Sequence, residues 1–259
     1  MQSVRTGKII VLQSLLFWGL LPFTIPQALW ERKTAPRLPE AAGPKYGSAG
    51  HGPNLNLIAI GDSIIAGVGA SDLSKALVGQ TSLALARHLD CKISWHACGS
   101  SGVNSEKVLN QLIPDLPPIE ADLFIVSVGV NDVTSLSSIS AWRSNLSAIL
   151  GALRHHSPGA VTAVAGLPPL KGFPLLPQPL RALLGFRAET LVRAARTVVS
   201  RHLRSVYVPV QFDPDPDKFA ADGYHPSEDS YSVFGQTMAD SLSTYFLPSG
   251  DDVETATPE

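Results

Sequence analysis

Between residues 54 and 247 the chain alternates short apolar runs with longer stretches of helical spacing, and this alternation constrains its fold more than any other feature. Runs at 55–60, 93–97, 123–128, 161–165 and 206–210 predict strands. The intervening stretches 73–89, 105–113, 140–154, 180–203 and 228–246 predict helices, with Ser105 as a plausible cap for the second. The run at 123–128, LFIVSV, is almost continuously apolar, as a strand covered on both faces must be. Strands that alternate with helices in this way form a parallel sheet between helical layers. Sheets of that kind bind ligands beyond the carboxyl ends of their strands.

The flanks read differently. Arg5 and Lys8 precede a mostly apolar run from Ile9 to Trp30, the pattern of a secretory signal peptide or an N-terminal membrane anchor. Residues 1–30 are therefore expected to export the chain or to tether it, with membrane association through residues 9–30 in the second case. The run approaches bilayer-spanning length, yet Pro22 and Pro26 interrupt it and no clean A-x-A site follows. Residues 31–53, rich in Pro, Gly and Ala, read as a linker, and 248–259 as a disordered acidic tail. The domain is expected at 54–247. Lysine and arginine never run beyond two neighbours and the net charge is −2, so the clustered positive charge of a nucleic-acid footprint is missing. Cys91 and Cys98 form no CxxC, and the histidines supply no finger spacing, which argues against structural zinc. A strand between the two cysteines would hold them apart, so free thiols are expected.

Four polar motifs fall after predicted strands or before the last helix. Gly61-Asp62-Ser63 follows the first strand, where a serine can top a tight strand-to-helix turn with its N–H facing the cleft. Gly99-Ser100-Ser101-Gly102 follows the second, and either glycine can turn a backbone N–H toward a ligand. Gly129-Val130-Asn131-Asp132 follows the third and offers the Asn131 amide at the same edge, a donor suited to an oxyanion. Asp222-Gly223-Tyr224-His225 precedes the last helix, and its spacing lets a local turn bring Asp222 to one nitrogen of His225, leaving the other for Ser63. Each motif alone has an ordinary explanation: a helix cap, a flexible turn, an Asx-turn, an exposed loop histidine. Among the other histidines only His96, at the end of the second strand, competes as a catalytic group.

Taken together and in this order, the motifs resemble those of the SGNH hydrolases of the GDSL type. Gly61-Asp62-Ser63-Ile64 matches the family's first block, with isoleucine where leucine is usual. Gly102 best matches the second-block glycine, with Gly99 as its competitor. Gly129 to Asp132 and Asp222 to His225 match the third and fifth blocks in full. The resemblance implies a flavodoxin-like three-layer α/β/α sandwich with a five-stranded parallel sheet. It also implies ester hydrolysis through an acyl-enzyme. Ser63 is then the nucleophile, His225 the base and Asp222 its orienting partner. The oxyanion hole comprises Ser63, Gly102 and Asn131, supported by Asp62, Gly129 and Asp132. No metal or organic cofactor is implied. Consistent with that fold, the chain has no G-x-S-x-G elbow.

The loop at 166–179 follows the fourth strand and carries Leu167, Leu170, Phe173, Leu175 and Leu176. It reads either as a wall for an acyl chain or as a seal for the domain's flank. The first reading, with the leader, favours lipidic esters such as lysophospholipids, or thioesters. The alternative is a carbohydrate O-acetyl esterase, for which Trp142 and Tyr224 are the candidate stacking platforms, or an acyltransferase. A different class, a non-catalytic acyl- or glycan-binding module, would have no need of Ser63, Asn131, Asp222 and His225 together. Asn145-Leu146-Ser147 is a glycosylation sequon, relevant only on a eukaryotic secretory route.

Overall fold

The computed structural model of the chain describes residues 19, 22, 24–31, 33–211 and 213–246. The tail expected at 248–259 and most of the leader expected at 1–30 lie outside the described residues. A six-stranded sheet carries the domain. Its strands are β1 (Tyr46–Ala49), β2 (Asn54–Gly61), β3 (Lys92–Gly99), β4 (Leu123–Ser127), β5 (Val161–Ala165) and β6 (Ser205–Val208). They lie in the order β1-β3-β2-β4-β5-β6, and all neighbours are parallel except β1 and β3. The chain winds outward from β2 in both directions. The topological switch point therefore lies between β2 and β4, where such sheets open a crevice at the carboxyl edge.

The main helices are α1 (Leu77–Leu89), α4 (Ile139–His156), α5 (Leu180–Val199) and α6 (Glu228–Ser243). Two short ones sit at the carboxyl edge: α2 (Ser105–Lys107), which runs into a wider π turn, and α3 (Val130–Thr134). Strand side chains alternate between faces. Leu57, Ala59, Ile93, Leu123 and Ile125 accordingly join one buried cluster with α1 and α6. Their neighbours Ile58, Ile60, Phe124 and Val126 join the other with α4 and α5. This two-sided burial is why the central strands read as continuous apolar runs.

The sheet has one strand more than the five expected from sequence. The extra strand, β1, comes from the stretch read as linker, and it pairs Tyr46 with His96 and Ala49 with Ile93. Its four residues, YGSA, are only half-buried at best, because an edge strand needs hydrogen bonds more than apolar side chains. Gly47 is required there: a Cβ would lie 2.4 Å from the Trp95 indole that covers it. Helix boundaries also move. α1 begins at Leu77 rather than 73, because the Asp72 carboxylate takes the N–H of Ser74 at 2.8 Å and holds a turn. At α2 the cap is Asn104, whose Oδ1 accepts the Lys107 N–H at 3.1 Å, and not Ser105. α5 and α6 end at Val199 and Ser243, short of 203 and 246. Cys91 and Cys98 are both free, one at each end of β3.

Among the described residues no helix is long and apolar enough to cross a membrane. A helical stretch at residues 24–31 packs against the domain near the carboxyl edge.

Candidate active site

β2 ends in Gly61, and its last residues set the nucleophile's position. The Asp62 N–H donates to Ser127 O on β4 at 2.9 Å, so the chain turns sharply across the switch point. A Cβ on Gly61 would lie 1.8 Å from that same carbonyl, and φ there is +152°, so only glycine fits. Ser63 then tops the turn. Its own N–H donates to no partner among the described residues, whereas the neighbouring N–H of Ile64 is taken by Asp62 Oδ1 at 3.1 Å.

The loop before α6 supplies the partners. His225 Nε2 lies 2.9 Å from Ser63 Oγ, and His225 Nδ1 lies 2.6 Å from Asp222 Oδ2. The other Asp222 oxygen accepts the backbone N–H of Tyr224 at 2.9 Å and of His225 at 3.0 Å. The three-residue spacing thus makes a turn in which one carboxylate fixes both the backbone and the imidazole. Burial pushes the Asp222 carboxyl up, but the N–H donors of His225 and Tyr224 and the imidazole outweigh it and hold it below the usual range. With Nδ1–H donated to Asp222, Nε2 is left as the acceptor for the serine hydroxyl. Gly69 lets the loop close: a Cβ on it would lie 2.4 Å from Pro226 O.

Asn131 reaches the same site from the first turn after β4 and lines the cleft with Ser63 and His225. Its Nδ2 gives one hydrogen to Val103 O at 2.9 Å, which orients the amide and leaves the second hydrogen for a ligand. Gly129, at φ +131°, starts this turn with its α-carbon against Leu167 and Trp142. Asp132 does not face the cleft. It is fully buried, and accepts the N–H of Ser105 at 2.9 Å and the Ser105 hydroxyl at 2.6 Å. That pair clamps the loop after β3 to the loop after β4. Ser105 was expected only as a cap, and nothing in its local sequence marks it as a partner of Asp132.

The two second-block glycines separate in the structure. Gly99 is the last residue of β3 and is buried, with Ala66 N 2.3 Å from where its Cβ would be, so it serves close packing. Gly102 has open space around it, φ of +78°, and an N–H that donates to no partner among the described residues. It precedes Val103, the residue that holds Asn131.

His96 does not compete. It pairs with Ile58 inside the sheet, three residues short of the carboxyl end of β3, and stacks near Tyr46. Trp142 is not a stacking platform either, because it is fully buried with its indole N–H on Leu191 O at 3.1 Å. Tyr224 lines the cleft, and its hydroxyl donates to Glu31 at 2.7 Å. Asn145 of the sequon donates to Ser105 Oγ at 3.1 Å, and Leu146 beside it is fully buried.

The cleft is about 560 Å³. Ser63, His225 and Asn131 line it together with Leu167, Leu170, Phe173 and Leu176 of the 166–179 loop, which give it an apolar wall. Leu175 of the same loop turns outward and is exposed. Among the described residues no group of three His, Cys, Asp or Glu side chains could hold a metal ion.

A Ser-His-Asp chain at the switch point of a parallel sheet, with the free N–H of Ser63 and the Asn131 amide at the same cleft, defines a serine-nucleophile site on a three-layer α/β/α sandwich. The chain belongs to the GDSL-like lipase/acylhydrolase family, whose model matches residues 59–233. The GDSL-like esterase Rv1075c of Mycobacterium tuberculosis is 29% identical over 191 residues, covering 70% of this chain. The chain spans 59% of that relative's length. Two solved structures share the fold at low identity. The lipase Lip_vut3 from a goat rumen metagenome gives a TM-score of 0.59 at 18% identity, over 72% of this chain and 96% of its own. A carbohydrate esterase family 2 enzyme with a carbohydrate binding domain, from Corynascus thermopiles, gives 0.55 at 17%, over 81% of this chain and 69% of its own.

Proposed function

We propose that the protein is a serine-dependent carboxylic ester hydrolase acting on lipidic acyl esters, such as lysophospholipids, or on acyl thioesters. The observation that carries the chemistry is the unbroken contact from Asp222 through His225 to Ser63, 2.6 and 2.9 Å, beside the free N–H of Ser63. The Ser63 oxygen attacks the ester carbonyl while His225 Nε2 takes its proton. The carbonyl oxygen becomes negative and is met by the N–H of Ser63, the N–H of Gly102 and the free hydrogen of the Asn131 amide. The imidazolium is stabilised by Asp222. It gives its proton to the departing alcohol or thiol as the tetrahedral intermediate collapses to an acyl-serine. Water, deprotonated by the same nitrogen, releases the acid and restores Ser63.

The apolar wall supports an acyl chain over a sugar. Leu167, Leu170, Phe173 and Leu176 offer burial of about 25 cal/mol per Å² to a hydrocarbon. A glycan would want exposed aromatic faces; Trp142 is in the core, which leaves Tyr224 as the one candidate platform of the two at the cleft. Removal of acetyl groups from carbohydrate, and acyl transfer to an acceptor other than water, are the competing reactions. Export or anchoring through residues 1–30 is part of the same reading and rests on the leader's composition.

The test is a panel of p-nitrophenyl esters from acetyl to decanoyl, with lysophospholipids and acetylated sugars included. The reading expects kcat/KM to rise with acyl length, and Ser63→Ala to abolish both turnover and labelling by a fluorophosphonate. Efficient turnover confined to acetylated sugars would replace the substrate. A folded protein that neither labels nor turns over would be a binding module.

A further inference from the structure

We propose that the mouth of the cleft is a docking face for a lipid surface, rimmed by Leu29, Trp30, Leu175 and Val233. The proposal rests on the acyl-ester reading, since an acyl substrate long enough to need that wall resides in aggregates, and on the anchored alternative for residues 1–30, in which Gln27 to Glu31 stay with the domain. Five of the eleven exposed large apolar side chains among the described residues belong to this region: these four and Ile25. Exposed leucines scattered singly are ordinary, but a group around a cleft marks an interaction surface.

Three hydrogen bonds place the helical stretch 24–31 at the mouth. Gln27 donates to Gln178 O at 2.9 Å and accepts the Leu180 N–H at 3.3 Å, both at the end of the wall loop. Glu31 accepts the Tyr224 hydroxyl at 2.7 Å, at the catalytic loop. The stretch therefore straps one cleft wall to the other. Its polar residues spend themselves on the domain, while Leu29 and Trp30, between Gln27 and Glu31, are about two-thirds exposed at 61% and 67%. Leu175 stands at the catalytic loop, its side chain against Gly223, where a Cβ would be 2.2 Å from Leu175 Cδ1. Val233 lines the cleft from α6 and is half exposed.

The sequence leading into the strap names the occupant. Residues 9–23 are mostly apolar, so the chain leads into the rim from a segment suited to lipid, and Lys33 and Arg37, both exposed, follow it in sequence. An apolar side chain at an interface with cations behind it is the pattern of a surface-lying segment. A rim seated on lipid would let an acyl chain pass to the wall without crossing water.

The full-length protein is sedimented with phosphatidylcholine vesicles, with and without phosphatidylglycerol, for wild type, Leu29→Ser/Trp30→Ser and Leu175→Ser/Val233→Ser. Each double variant is expected to weaken partitioning about tenfold or more, with circular dichroism unchanged. If Leu175→Ser/Val233→Ser binds as wild type does, attachment runs through the N-terminal segment alone and the docking face is overturned. It is overturned equally if wild type does not bind. Sedimentation velocity showing that the variants only dissociate a dimer would assign the rim to a second copy instead. Binding needs no turnover, so vesicle binding by an enzyme confined to short soluble esters would refute the acyl reading and leave the docking face standing.

Discussion

Asp62 is the residue whose replacement tells most about the site's construction. Its carboxyl is 2% exposed beside the nucleophile, and burial pushes it from 3.8 up to about 7, against the opposing hydrogen bonds from Ile64 and Ser127. Folding therefore favours the protonated form. The stability associated with that proton is complete below 3.8, the unfolded value, and is lost as pH rises through about 7. At about 1.4 kcal/mol per pH unit the full loss is of order 4 kcal/mol. Asp222 works the other way. Its folded value is depressed, so its contribution is present above the ordinary carboxylate value and is lost only as pH falls below it. The two windows do not overlap. Asn in place of Asp62 keeps an oxygen for the Ile64 N–H and the Ser127 hydroxyl, and has no proton to lose. Urea unfolding of Ser63→Ala and of Asp62→Asn/Ser63→Ala, between pH 5 and pH 8, removes turnover from the comparison. The first should lose roughly 2.5 kcal/mol across that range, since about 1.4 kcal/mol goes with each unit between pH 5 and the folded value of about 7, and the second should lose much less and be the more stable at pH 8. Equal slopes for the two would refute the claim that Asp62 folds as a neutral acid.

Asn131→Ala should lower kcat on a p-nitrophenyl ester by roughly a hundredfold to a thousandfold with little change in KM, because the amide acts on the oxyanion and not on the bound ester. A change confined to KM would move Asn131 out of the oxyanion hole. His225→Ala should cost several orders of magnitude, and Asp222→Asn less, since the imidazole survives even when its orienting partner is weakened. Steady-state rates that rank them in the reverse order would contradict the roles drawn from the 2.6 and 2.9 Å contacts. Gly61→Ala should destabilise the fold by roughly 3 kcal/mol or more, from strain at positive φ and the clash with Ser127 O. A thermal midpoint within a degree or two of wild type would show that the turn can relax.

What the sequence revealed and what it concealed differ in range of interaction. Ser63, Asn131 and His225 were legible because each is tied to a local feature, a strand end or a helix start, and strand ends of one parallel sheet share an edge. Asp222 was legible because its partner is three residues away and a single turn joins them. β1 was not, since an edge strand of YGSA is defined by the hydrogen bonds of β3 rather than by its own side chains. The Ser105–Asp132 clamp escaped for a related reason. A hydroxyl 27 residues from a carboxylate has no periodic signal, and the capping role suggested for Ser105 belongs to Asn104 one position earlier. Glu31 is the extreme case: it reaches Tyr224 across 193 positions from a segment whose composition resembles a linker. Local propensity locates chemistry wherever the backbone itself aims the residue. Where the aim comes from a second loop packed behind the first, as with the clamp that steadies Asn131 and the strap that holds Tyr224, only the folded chain supplies it.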